Sequence, residues 1–255
     1  MKNCIRIFLF GGTLLLMACT EEFDIPDPSQ VEAIHQQTYQ LFKTDLDSAM
    51  ILADSSLALA LESEVPLEVA NSYYIKGYIF KKKDDLAQAF IMYLNAAKVL
   101  DVLTAENAEK MNCDVLLNIG ETLRKFYRYD EAIHSYEVGF SLETIDDACK
   151  QKLHYNKGLA LKNQGNLTEA MESLKQSANI ANSIQDISRV LKSFNLLGLV
   201  HKDAGHYPEA RAYYQFIIDH PKASTKYRSM AYQNMAVSYL EENQSPIAKQ
   251  YLIVL

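Results

Sequence analysis

Six stretches of this chain align on an alanine: DLDSAMILADSS, DLAQAFIMYLNAA, YDEAIHSYEVG, NLTEAMESLKQSA, YPEARAYYQFI and SPIAKQYLIVL. The aligned alanines are Ala49, Ala89, Ala132, Ala170, Ala210 and Ala248. Twelve residues before each stands Gln37, Gly77, Gly120, Gly158, Gly198 or Ala236. Four residues after the alanine, most copies carry a large apolar side chain: Tyr93, Tyr136, Leu174, Tyr214, Leu252. A unit that returns at this interval cannot bury its apolar face alone, so neighbours must stack to make a continuous core. The spacing suits two antiparallel helices whose backbones approach where small residues meet. A larger side chain at that crossing would overpack, at ~1–3 kcal/mol. Pro208 and Pro246 fall at the start of second helices, where the missing N–H does no harm. Gly165 and Gly205 mark turns between helices.

The pattern resembles the tetratricopeptide repeat, which has a small residue at register position 8, alanine at 20, a bulky residue at 24 and a small one at 27. Ser56, Ala96, Gly139 and Ser177 fill position 27, whereas Ile217 and Leu255 break it, and Pro221 falls near the family's closing proline. The resemblance implies an all-α fold: a right-handed superhelical solenoid of antiparallel helix pairs. The repeats lie near 30–66, 70–103, 113–146, 151–184, 191–224 and 229–255 of a solenoid spanning 31–255. Successive position-8 residues are 40, 43, 38, 40 and 38 apart, against about 34 in the family. The helices or turns are therefore longer, as in the long-repeat variants of bacterial sensor and regulator proteins. The first copy, with Gln37 for glycine, is degenerate, as terminal repeats often are.

In this family the first helix of each pair lines a concave groove. The stripe that the register assigns to it carries Tyr74, Tyr78, Lys81, Asn118, Arg124, Tyr155, Asn156, Lys162, Lys192, Asn195, Lys202 and Asn234. Position 12 is basic in four consecutive copies (Lys81, Arg124, Lys162, Lys202), and asparagines recur along the row. Such a row can grip an extended peptide or acidic segment through charge-assisted hydrogen bonds; it can equally be a solvated helix face. The family's carboxylate clamp is not supported: of Tyr74, Tyr78, Asn118, Lys152 and Asn156, only Asn118 and Lys152 match it. Most other tyrosines occupy core positions of the register.

The N-terminus reads as an address. Lys2 and Arg6 precede an apolar stretch, Ile7 to Met17, that contains Gly11 and Gly12. It is too short for a spanning helix of ~20 residues and matches the apolar region of a signal peptide, residues 1–18. Leu16-Met17-Ala18-Cys19 is similar to the bacterial lipobox. The resemblance implies cleavage after Ala18 and lipidation of Cys19; two or more acyl chains hold a protein to its membrane, where one does not. Thr20 follows Cys19 in place of the aspartate linked with inner-membrane retention, and Glu21-Glu22 resemble a surface-export signal. The expected location is thus the cell envelope, lipid-anchored, with the outer membrane favoured. Residues 19–30, with two prolines, read as a tether.

Without Lys2 and Arg6 the mature chain has 23 basic residues against 32 acidic ones. That balance argues against nucleic acid, whose backbone needs neutralising cations, and leaves the lipid anchor as the only membrane contact. Cys113 and Cys149 remain once the signal and anchor cysteines are set aside; their default reading is two buried small apolar residues rather than a disulfide. Phosphate-binding glycine loops and HExxH are absent from the sequence. His201 and His206, five apart across a turn, do not share a helix face. The expectation is a non-enzymatic protein without cofactor or metal.

Two functions remain. One is a lipid-anchored scaffold that docks a protein or peptide in the envelope. The other is the extracytoplasmic sensory part of a longer signalling or transcription-regulating protein. The apolar run Tyr251-Leu252-Ile253-Val254-Leu255 is expected to be covered by a partner, by self-association, or by further chain.

Overall fold

The computed structural model describes residues 8–10, 13–15, 27–103 and 106–253. The lipobox and Cys19 lie outside the described residues. Near the N-terminus, β1 (Phe8–Phe10) pairs antiparallel with β2 (Thr13–Leu15). The solenoid that follows is wholly helical: α1 (Pro28–Leu41), α2 (Leu46–Glu62), α3 (Pro66–Lys82), α4 (Leu86–Leu100), α5 (Glu106–Lys125), α6 (Tyr129–Phe140), α7 (Asp147–Gln164), α8 (Leu167–Ser183), α9 (Ile187–Asp203), α10 (Tyr207–Asp219), α11 (Thr225–Glu241) and α12 (Ser245–Ile253). Each helix packs on the next along the chain. No described helix is long and apolar enough to cross a membrane.

Local chemistry starts and stops these helices. Asp45, Asp85, Asp146 and Asp186 each accept hydrogen bonds from backbone N–H groups of the following first turn, which relieves donors that have no intrahelical partner. The turns inside five pairs each hold one left-handed residue: Asp84, Tyr127, Gly165, Gly205 or Asn243. The residue after it donates back to a carbonyl five positions earlier, as from Asp85 to Phe80 and from Gln244 to Tyr239. This closes the preceding helix in a Schellman geometry.

The crossing predicted from small residues is real, and its partner is the bulky residue of the second helix. A Cβ at Gly77 would lie 2.7 Å from the Tyr93 ring, and one at Gly158 would lie 2.6 Å from Leu174. Gly120 and Gly198 meet Tyr136 and Tyr214 in the same way. Ala49, Ala89, Ala132, Ala170, Ala210 and Ala248 are all fully buried. The two ends depart from the register. Gln37 is exposed, while Val31, His35 and Thr38 are buried; this is an i, i+4, i+7 stripe that turns the amide outward. At the other end Leu252 is exposed, and Tyr251 packs instead, its ring 5.5 Å from that of Tyr239.

A second departure concerns the cysteines. Cys113 of α5 and Cys149 of α7 are buried, as expected, but they are joined in a disulfide with their Cα atoms 6.5 Å apart. First helices of neighbouring pairs touch one another directly: α1 with α3, α3 with α5, α5 with α7, α7 with α9 and α9 with α11. Second helices make no such contact with one another among the described residues. Crowding on the first-helix side and separation on the other curve the stack, with the first helices lining its inner face.

Candidate functional site

The inner face holds a cavity of about 520 Å³ between α5, α7 and α9. Its walls follow helical spacing: Asp114, Leu117, Asn118, Glu121 and Arg124 from α5, Gln151, Lys152, Tyr155, Asn156 and Leu159 from α7, and Arg189 and Lys192 from α9. The disulfide joins two of these three helices, with Cys113 one residue before Asp114 and Cys149 two residues before Gln151.

Of the stripe read from the sequence, Asn118, Arg124, Tyr155, Asn156 and Lys192 meet in this cavity. Tyr74 lines a smaller neighbouring hollow with Tyr39, Asn71 and Asp114. Tyr78 packs on Phe42, ring centroids 4.7 Å apart. Lys81 reaches across to the next first helix, 2.5 Å from Asn118 Oδ1 and 3.0 Å from Glu121 Oε2. Lys162 meets Asp203 at 2.7 Å, and Lys202 meets Asp203 and Glu241 at 3.0 Å each. Asn195 is buried and accepts from Asn234 Nδ2 at 2.8 Å. The predicted basic row therefore divides into three ion-paired lysines and Arg124, which alone of the four faces the cavity.

Asp114, Glu121, Gln151, Lys152 and Arg189 were absent from the sequence-derived stripe. The signal was present, because each lies three, four or seven residues from a stripe member on the same helix. Lys152 and Asp114 pair at 2.9 Å. Arg189 meets Asp186 at 3.0 Å and donates to Ala148 O and to Gln151 Oε1. Burial would push the Glu121 carboxyl up, but the charge and hydrogen bond of Lys81, together with the Lys125 and Arg124 charges, outweigh it and hold the group below its ordinary value. Burial lowers the Lys192 amine, against an opposing pull from Glu121. The amine lies over the face of Tyr155, 4.2 Å from the ring centroid. Burial pushes the Tyr155 phenol up to about 12, so it stays protonated as a donor. Arg124 makes no ion pair among the described residues, and its Nε is buried without a hydrogen-bond partner.

Among the described residues no group of three acidic, histidine or cysteine side chains is placed to hold a metal. His201 and His206 lie with ring centroids 5.8 Å apart, and His201 also packs on Tyr213.

Antiparallel helix pairs in a single stack, with first helices inward, define a helical-repeat solenoid. Residues 151–184, in the α7–α8 pair, match the tetratricopeptide repeat family, and the other helix pairs stack in the same way on either side of it. The fold is similar to that of PilF from Pseudomonas aeruginosa, with TM-score 0.65 and 15% identity over 88% of this chain and 89% of that one. It is similar to aspartyl phosphate phosphatase F from Bacillus subtilis, with TM-score 0.69 and 12% identity over 88% and 70%. It is also similar to PilW, a widely conserved type IV pilus biogenesis factor, with TM-score 0.67 and 16% identity over 87% and 90%. No curated protein matches in sequence. These likenesses concern the fold alone.

Proposed function

We propose that this is a lipid-anchored scaffold of the bacterial cell envelope that holds an extended segment of a partner protein along the inner face of its solenoid. The observation that carries the binding part is the cavity between α5, α7 and α9, walled by three consecutive first helices and rich in hydrogen-bonding side chains. The anchor rests on Leu16-Met17-Ala18-Cys19, and placement on the outer membrane rests on Thr20 and the acidic pair behind it. The Cys113–Cys149 disulfide favours export, because such bonds persist in oxidising compartments and are rare in the cytosol.

Two measurements test the two halves. In the native host, palmitate label is expected in the wild-type protein and absent from Cys19→Ala; label in the mutant removes the anchor. A photo-crosslinking residue at Tyr155 is expected to capture a partner in the envelope, whereas one at the exposed Ile91 of α4 is not. Equal capture from both positions would remove the groove.

A further inference from the structure

Inside the groove two cations lack the arrangement that the ladder gives its lysines. Lys81, Lys162 and Lys202 each reach a carboxylate on the first helix of the next pair: Glu121, Asp203 and Glu241. Glu121 stands one residue after Gly120; Asp203 and Glu241 stand five after Gly198 and Ala236. Arg124 faces α7, where those two register places hold Leu159 and Asn163. Its guanidinium is therefore left with a buried, unpartnered Nε. Lys192, on the far wall, rests on the Tyr155 ring rather than on an acid. Of the cavity's two acids, Asp114 is engaged by Lys152 and Glu121 by Lys81; Glu121 is within electrostatic reach of Arg124 and Lys192 but forms an ion pair with neither. The fully buried Tyr136 adds a phenol oxygen without a partner, within electrostatic reach of Arg124. Partly buried charges and donors left this way are unfavourable until a ligand supplies the missing acceptor.

We propose that Arg124 and Lys192, which line one cavity with Tyr155, are the docking point for one aspartate or glutamate side chain carried within an extended segment of the partner protein. The inference rests on the reading of the groove as the partner site and adds the chemistry that selects the segment. A carboxylate between the two gives Arg124 a planar, two-oxygen acceptor and Lys192 a counter-charge, and charge-assisted bonds are the strong ones. The cavity is walled by three successive first helices, so the segment lies across it and a side chain is the part that reaches in.

The test is selection of end-blocked random peptides, with neither free carboxylate nor free amine at their ends, on the full-length oxidised protein. Peptides sharing one acidic position are expected. Changing that acid to its amide, or making Arg124→Gln or Lys192→Gln in the protein, is expected to weaken binding roughly ten- to hundredfold. Lys98→Gln on α4 is expected to leave binding unchanged. Peptides without an acidic position, or equal binding to wild type and Arg124→Gln, would overturn the acidic docking point and leave the groove standing. Failure to select any peptide would bring down both. Unchanged circular-dichroism melts of the variants show that the effect is on binding and not on folding.

Discussion

The middle of the inner face and its C-terminal half are built from the same residues and do opposite things with them. In the C-terminal half, Lys162, Asp203, Lys202 and Glu241 form a continuous ladder over three first helices, in which each of these four charges has a partner in the fold. In the middle, Arg124 occupies the same register place as Lys162 and Lys202, yet it opens on a cavity. The difference lies in the facing helix, which offers an acid in one case and Leu159 and Asn163 in the other. A basic row is therefore not a binding surface by itself; its character is decided one repeat further on. The middle also carries the covalent tie. The disulfide joins the two helices that supply most of the cavity wall, so the part that holds Arg124 has a covalent tie that the C-terminal half, without cysteine, lacks.

The largest expected effect breaks that covalent tie. Cys113→Ala with Cys149→Ala opens a loop of 36 residues, for which chain-entropy reasoning gives about 3–4 kcal/mol. Amide exchange should quicken first in α5 and α7 and last in the ladder half. Uniform loss along the solenoid would show that the bond stabilises the stack as a whole and not the cavity.

Next comes a change in packing that both regions share. Ala170 is fully buried at the α7–α8 crossing between them. Ala170→Leu is expected to overpack by about 1–3 kcal/mol, read as a lower melting temperature. An unchanged melt would sink the register on which the comparison depends.

That register was open to reading because its cause is local. Gly77, Gly120, Gly158 and Gly198 must be small where a ring or leucine lies against them, and the constraint repeats inside each pair. The placing of Asn118, Arg124, Tyr155, Asn156 and Lys192 on one side of the stack was legible for the same reason. What was not legible involves contacts between pairs. Cys113 stands seven residues before Gly120 and Cys149 nine before Gly158, so the register puts them on different faces. They meet because adjacent first helices present different sides to each other. The pairing of Lys81 with Glu121 is of the same kind, as is the absence of any such acid for Arg124. Gln37 shows the remaining gap: with no repeat before it, α1 turns to bury Val31, His35 and Thr38, a choice that the later copies do not encode.

A smaller effect tests the ionic half. Burial would push the Asp203 carboxyl up, but hydrogen bonds from Lys162 and Lys202 outweigh it and hold the group below its ordinary value. A carboxylate depressed in the folded state contributes stability above its unfolded range and loses it as pH falls through the folded value. The ladder should therefore weaken on acidification below the usual carboxylate range, by roughly 1 kcal/mol after solvent screening. Asp203→Asn should remove that part of the acid dependence. Exchange in α9 and α11 should quicken over that range in the wild-type protein and respond less in Asp203→Asn. An acid response unchanged in the variant would mean that the ladder does not carry the pH dependence of this half.

The smallest effect on stability is the sharpest test of what separates the halves. Asn163 is exposed, at the register place that Asp203 fills in the next repeat. Asn163→Asp would offer Arg124 the acid that Lys162 already has, an exposed pair worth about 0.5 kcal/mol at most. The melting temperature should barely move. Binding of acidic peptides to the cavity should nevertheless weaken, because the new carboxylate competes for the same guanidinium, and the preference for an acid in the ligand should fade. A variant that binds acidic peptides as tightly as wild type would mean that the free charge of Arg124 is not what distinguishes the cavity from the ladder.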